Sequence, residues 1–177
     1  PEGYDESLSI GKVKCFYGNF LVAQRAAVYI DTLGAEGIKD AAQKAVLNAN
    51  YLMEGLKEFY PVAYDRVCMH EFVLTLENLK HEKGVSAMDV AKAMLDYGIH
   101  PPTMYFPLIV HEDLMFEPTE TETKETLDEA IRVLGEIRQI AEKDAQSLHE
   151  APHRTIIGRV DEVRAARQPV LKYAFND

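Results

Sequence analysis

Four histidines are each followed directly by glutamate, at His70-Glu71, His81-Glu82, His111-Glu112 and His149-Glu150. A zinc protease needs a second histidine four residues after the first, so that one helix face offers two nitrogens to the metal with the glutamate beside them as base. None of the four pairs continues in that way, which excludes this chemistry. A looser site built from His70, His100 and His111 stays open, but scattered histidines usually serve structure and no metal is expected. Gly11-Lys12 has the ending of a phosphate-binding loop, yet the position five residues earlier is Glu6 and not glycine. There is no Gly-x-Ser-x-Gly elbow, and no Ser/His/Asp set stands out.

Three other groupings have residue types suited to chemistry. Phe16-Tyr17-Gly18-Asn19 stands at a helix start, where free backbone N–H groups can receive a phosphate. A plain helix cap explains the same residues. Met69-His70-Glu71-Phe72 enters a strand, so His70 is either an active-site residue or a hydrogen-bonded structural one. Glu117-Pro118-Thr119-Glu120-Thr121-Glu122 collects three carboxylates and two hydroxyls within six residues. Capping is the first reading: Thr119 or Thr121 caps the following helix, and Glu120 and Glu122 complement its dipole. Acid–base work by Glu117 is the competing one.

These groups need elements to position them. Residues 1–17 read as loop, broken by Gly3, Gly11 and the polar Asp5-Glu6-Ser7. Asn19 is a plausible N-cap for a helix ending at Gly34. A longer helix over about 36–59 follows, with Ile38, Ala42, Ala45, Ala49, Leu52, Met53 and Leu56 on one buried stripe, and Pro61 stops it. The period then changes to a strand over 71–76, followed by a polar turn. Ser86, with Asp89 three residues on, begins the next helix, which Gly98 closes. Pro101-Pro102 forms a rigid corner in which either bond is a candidate for cis. Short strands are expected over 103–106 and 113–117, then a last helix over about 121–148. From Ala151 onward no period survives, and the tail is expected to lie over the body with Val170-Leu171 as its anchor. This order predicts a small sheet flanked by helices, α+β or open α/β.

The composition narrows the function classes. A formal net charge of −10, with −12 of it on residues 1–150, disfavours nucleic acid and anionic membranes as partners. No apolar run reaches about 18 residues, so no membrane span is expected. Cys15 and Cys68 form no CxxC pair and suit a reducing compartment. The opening Pro1-Glu2-Gly3-Tyr4 is consistent with a piece cut from a longer chain.

The order of segments carries more. Ser9-Ile10-Gly11-Lys12-Val13, Tyr17-Gly18-Asn19, Leu33-Gly34-Ala35-Glu36-Gly37 and Ala45-Val46-Leu47-Asn48-Ala49-Asn50-Tyr51 resemble the glycine decarboxylase P-protein family, also called glycine dehydrogenase (decarboxylating). So do His70-Glu71-Phe72-Val73-Leu74, Asp96-Tyr97-Gly98-Ile99-His100-Pro101-Pro102-Thr103 and Leu114-Met115-Phe116-Glu117-Pro118-Thr119-Glu120-Thr121-Glu122. Pro152-His153-Arg154-Thr155 and the stretch from Asp161 to Leu171 are similar to subunit 2 of the bacterial two-subunit form. The likeness runs from about residue 8 to 173, in order and at compatible spacing.

The resemblance implies the C-terminal part of a fold-type-I enzyme dependent on pyridoxal phosphate (PLP). Such an enzyme decarboxylates glycine and passes the aminomethyl group to the lipoyl arm of the H-protein. Residues 1–33 would end the PLP-binding large domain, 34–59 would bridge, 60–150 would form the small C-terminal domain, and 151–177 the tail. The family's Schiff-base lysine follows a histidine, and no His-Lys pair occurs here. No catalytic residue is therefore assigned, Lys12 and Lys14 included, and the piece alone should be inactive. The resemblance places Tyr17, Gly18 and Asn19 near the cofactor, and His70, His100, Thr103 and Glu117 toward the substrate cleft. No arginine stands at the Glu117–Thr121 corner, where relatives often bind a carboxylate, which suits a small substrate such as glycine. Implied partners are subunit 1, the lipoylated H-protein and glycine, in the cytoplasm. Two alternatives stay open: another fold-type-I PLP enzyme such as an aminotransferase or a cysteine desulfurase, and a non-catalytic docking module.

Overall fold

The computed structural model describes residues 7, 9–11, 18–172 and 175. The chain divides into two compact units, Pro1–Asp40 and Ala41–Asp177. Helix α1 (Phe20–Leu56) breaks at Gly34, whose φ of 62° and ψ of −177° no ordinary L-residue adopts easily. The two expected helices are therefore present on either side of this glycine, the second ending at Leu56 and not near 59. The helix begins directly after Asn19, whose carbonyl accepts the Ala23 N–H at 3.0 Å.

The second unit holds the remaining elements: β1 (Phe72–Thr75), α2 (Glu77–Lys83), α3 (Ala87–Leu95), β2 (Thr103–Met104), β3 (Asp113–Phe116), α4 (Lys124–Lys143), α5 (Ala145–Glu150) and α6 (Glu162–Arg167). The sheet order is β1-β3-β2 and both pairings are antiparallel. That decides between the two expected classes in favour of α+β, since open α/β folds are built on parallel strands. Leu52, Met53 and Leu56 of α1 meet Phe72, Leu74, Leu114 and Phe116 of the sheet in one core, with Val90 and Met94 of α3 and Val133, Leu134 and Ile137 of α4. Helices α1 and α4 approach so closely at Gly55 that a Cβ there would stand 2.3 Å from Ile131 Cδ1, and the Phe59 ring covers Gly135 in the same way. The buried Tyr60 hydroxyl donates to the Leu134 carbonyl at 3.0 Å, a further tie between these helices.

Helix α3 starts on the expected capping box. Ser86 Oγ accepts the Asp89 N–H, and the Asp89 carboxylate accepts the Ser86 N–H at 2.9 Å. Asp89 also receives Arg159 and His149. Burial alone would push its carboxyl up, but the Ser86 and Arg159 hydrogen bonds outweigh burial and hold it below the usual range.

Several expectations require correction. The polar turn after β1 is helix α2, which the pattern concealed because only Leu79 of its seven residues is buried. Strand β2 stops at Met104, because Tyr105 turns to a φ of 57°. The last helix begins at Lys124, and Asp144 divides it from α5 by leaving helical geometry (φ −151°, ψ 71°) and capping Ser147. The cis bonds among the described residues precede Pro107 and Pro152, not Pro101 or Pro102. Val170 and Leu171 are 90% and 88% exposed and anchor nothing among the described residues. The tail is instead tied at its base, by Arg159 on Asp89 and by the His153 and Arg154 N–H groups on the Asp96 carboxylate.

Asp113 opens β3 opposite Thr75, fully buried, with neither carboxylate oxygen in a hydrogen bond. Burial pushes its carboxyl above the usual range, and the nearby backbone N–H groups of Phe106 and Tyr105 offset only part of that. A carboxyl that holds its proton more tightly when folded loses stability as pH rises from its unfolded value through its folded one. Charged Asp113 thus works against the fold at neutral pH. Asp113→Asn is expected to raise the melting temperature at neutral pH, with the gain vanishing below about pH 4, where the carboxyl is protonated in both states. A lower melting temperature at neutral pH would mean that the charge is compensated after all.

Candidate functional site

Thr103 pairs with Met115 and Phe72 with Phe116, so three connections meet at one end of the sheet. His70 precedes β1, His100 precedes β2 and Glu117 follows β3. An open cleft of about 800 Å³ lies there. Its walls are the Tyr97–Thr103 segment, the Met115–Pro118 end of β3, and Glu122, Glu125, Thr126 and Glu129 around the start of α4, with Leu52 of α1 among the lining residues.

The structure therefore brings together His100, Thr103 and Glu117 as lining residues. His70 stands beside them: its Nε2 is 3.9 Å from Glu117 Oε1 and 3.9 Å from Glu71 Oε2. These contacts become ion pairs only when the imidazole is protonated, and all three side chains are about half exposed. Gly18 and Asn19 lie in the first unit, exposed, at the entry to α1, where Phe20 N–H donates to the Gly18 carbonyl at 3.0 Å. Tyr17 is outside the described residues. Among the described residues no group of three His, Cys, Asp or Glu side chains is placed to hold a metal, and no helix is long and apolar enough to cross a membrane.

The corner after Glu117 differs from the expectation. Thr123, in extended geometry, caps α4 by accepting the Thr126 N–H at 3.3 Å. Thr119 and Thr121 hydrogen-bond each other at 2.7 Å instead. The chain is kept out of the helix until residue 123 because Asn48 Nδ2 donates to the carbonyls of Thr119 (2.8 Å) and Glu122 (3.1 Å). Glu120 and Glu122 consequently precede the helix, and Glu125 is the carboxylate in its first turn. Its own backbone N–H and the Thr123 hydroxyl hold the Glu125 carboxyl below the usual range. Glu122 accepts the Thr126 hydroxyl at 2.8 Å.

Outside the cleft lining, Asn50 Nδ2 donates to the Cys68 carbonyl at 2.8 Å and Asn50 Oδ1 accepts the Cys68 N–H at 3.0 Å. Tyr51 hydrogen-bonds Asp128, which also pairs with Lys124 at 2.6 Å, and Lys124 lies 5.3 Å over the Tyr51 ring. The sequence assigns no site role to Asn48 or Asn50, and the acids around the start of α4 read there only as complements to its dipole. The available signal was a pair of amides, poor helix formers, set inside an otherwise apolar stripe.

Electrostatically the cleft is one-sided. Glu117, Glu122, Glu125 and Glu129 line it, and no lysine or arginine does. An anionic group entering it would find hydrogen-bonding groups on His100, Thr103 and Thr126 but no lysine or arginine among the lining residues.

Thr123→Ala is expected to cost about 1 kcal/mol in chemical denaturation, the usual loss for a capping hydroxyl. Thr119→Ala and Thr121→Ala should cost clearly less, because neither hydroxyl caps. Equal losses at all three positions would contradict the assignment of the cap.

Comparison with known proteins gives a consistent result. The family described as glycine dehydrogenase, C-terminal domain, matches residues 41–156. A probable glycine dehydrogenase (decarboxylating) subunit 2 from Treponema denticola is 60% identical over 170 residues, covering 96% of this chain and 35% of the relative. A protein of the same description from Caldanaerobacter subterraneus subsp. tengcongensis is 58% identical, again over 96% of this chain and 35% of its own length. The chain thus spans about a third of the length of these curated relatives. A crystal structure of glycine decarboxylase (P-protein) of the glycine cleavage system, in inhibitor-bound form, superposes with a TM-score of 0.59 at 26% identity, over 70% of this chain and 28% of that one.

Proposed function

The chain belongs to the glycine dehydrogenase family, and from that premise we propose that it supplies the small C-terminal domain of a PLP-dependent enzyme that decarboxylates glycine and hands the aminomethyl group to the lipoyl arm of an H-protein. The identity of about 60% to a subunit 2 over nearly the whole chain carries this reading. Subunit 1 is the matching partner, and the cytoplasm the matching compartment. Within the chain, residues 1–33 end the large domain, 34–59 bridge, 60–150 form the small domain and 151–177 the tail.

PLP, when bound, supplies an electron sink for the carbanion left by loss of CO2. The cleft of this chain does not fit that cofactor. Its lining holds four glutamates and no cation for a phosphate, and no lysine for a covalent link. The seat of the cofactor therefore lies in residues outside the cleft, with Tyr17, Gly18 and Asn19 as the contribution from this chain. The helix start after Asn19 directs backbone N–H groups outward, a setting that favours anions.

What the cleft residues can do is bind, exclude and hold a proton. Carboxylates along the wall disfavour a substrate carrying a second negative charge, which keeps glycine-sized, singly carboxylated molecules in preference to acidic ones. His70 Nε2 and Glu117 Oε1 stand close enough for a small shift to let them share a proton, and His100 and Thr103 add hydrogen-bonding groups on the facing wall.

The test is reconstitution. The complete two-subunit protein with PLP and lipoylated H-protein should exchange the carboxyl carbon of glycine with labelled bicarbonate. This chain alone should not, and borohydride reduction after PLP treatment should leave no stoichiometric adduct on any one lysine. Exchange by the isolated chain, or a single trapped lysine, would overturn the assignment of the covalent link elsewhere. Turnover of a different amino acid in place of glycine would point to another PLP enzyme.

A further inference from the structure

Asn48 and Asn50 stand two residues apart on α1, about 200° apart around the helix, and each grips a different loop. Asn50 takes both the N–H and the carbonyl of Cys68, two residues before His70. That two-point contact fixes the rotation of the peptide as well as its distance. Asn48 holds the carbonyls of Thr119 and Glu122, beginning two residues after Glu117. Between them Ala49 is fully buried, and its methyl lets the helix sit deep between the two loops. Two asparagines in the middle of a helix are costly in helix propensity, by several tenths of a kcal/mol each relative to alanine. Asn50 Nδ2 returns once to the Val46 carbonyl of its own helix at 2.8 Å, but the bonds to Cys68, Thr119 and Glu122 all leave it.

We infer that Asn48 and Asn50 are positioning residues that set the spacing of His70 and Glu117 across the cleft mouth. The helix acts as a spacer. One amide fixes the strand-entry loop that carries the imidazole, and the other fixes the strand-exit loop that carries the carboxylate. The 3.9 Å separation of Nε2 and Oε1 is just beyond hydrogen-bond reach. A loop shift of a few tenths of an ångström would make or break the contact. Neither asparagine lines the cleft itself, and Asn48 meets the lining residue Glu122 only at its main-chain carbonyl, so both act through the segments they hold. The inference rests on the proposed reading of His70 and Glu117 as working cleft residues.

The experiment is a pair of double-mutant cycles in the reconstituted two-subunit enzyme, read as kcat and KM for glycine. Asn48→Ala leaves only exposed carbonyls behind, which water can satisfy, so the fold should survive. Asn48→Asp, of equal shape but without the donor, is the second variant should the first melt early. Asn50→Asp keeps the acceptor for the Cys68 N–H and loses the donor. Each should lower kcat about tenfold, the scale of a sub-ångström misplacement, with KM within about twofold. In the Glu117→Gln background Asn48→Ala should add no further loss, and in the His70→Gln background Asn50→Asp should add none. Contact removal without a site effect gives losses that multiply. Tyr51→Phe, which removes a different hydrogen bond from the same helix to α4, should stay within about twofold of the parent. Multiplying losses, or an equal loss in Tyr51→Phe, would overturn the inference while leaving the cleft assignment standing. Unchanged turnover in both His70→Gln and Glu117→Gln would overturn the cleft assignment and the inference together.

Discussion

The register of a very small sheet decides what this domain can be. Strands of four, two and four residues make few ladder hydrogen bonds, too few to specify alignment alone. Alignment must therefore come from side chains, and Phe72 stacked on Phe116 at 5.5 Å between ring centres is the pair that specifies it. Such a pair contributes about 0.5–1.5 kcal/mol beyond its buried area. A slip of one residue would turn Phe72 and Leu74 away from the core cluster they now share with Leu114 and Phe116. It would also separate His70 from Glu117, because each is defined only by its distance from the end of its strand. The cleft is thus a consequence of core packing one layer away.

Helix α1 is the second determinant, and it works through different chemistry on different sides. Its apolar stripe is buried at Leu52, Met53 and Leu56, and Gly55 admits Ile131 of α4. Its polar positions Asn48, Asn50 and Tyr51 reach three separate segments, at 119–122, at 68 and at 128. The stripe supplies the free energy and the amides supply the geometry. This division follows from the physics of each interaction: area burial is non-directional, whereas a two-point amide contact fixes orientation.

The elements that could be read from the sequence are those whose pattern is local. The buried stripe of α1, the short apolar run Phe72-Val73-Leu74, and the Ser86/Asp89 box each declare themselves within a few residues. Gly34 announced its break because only glycine tolerates that backbone. What could not be read depends on partners far along the chain. Helix α2 has one buried residue in seven, so it has no period and is helical because Leu79 docks. The cap of α4 falls on Thr123 and not on Thr119 or Thr121 because Asn48, more than seventy residues earlier, already holds the Thr119 and Glu122 carbonyls. The same long-range dependence explains the site. His70, His100, Thr103 and Glu117 were legible as residue types beside strand ends and through the family resemblance. The carboxylates of α4 facing them were not, because helix-start acids serve the dipole equally well.

The electrostatic character of the cleft constrains its chemistry more tightly than any single residue does. Glu117, Glu122, Glu125 and Glu129 make an open, solvent-exposed wall of one sign, with Arg132 already pairing Glu129 and no lysine or arginine among the lining residues to hold a phosphate. On the proposed reading, the small domain contributes exclusion of competing anions and a His70–Glu117 couple of defined spacing, while covalent attachment belongs to residues outside this chain. The cleft is stabilised by its own core, and none of its walls depends on the cofactor for its position.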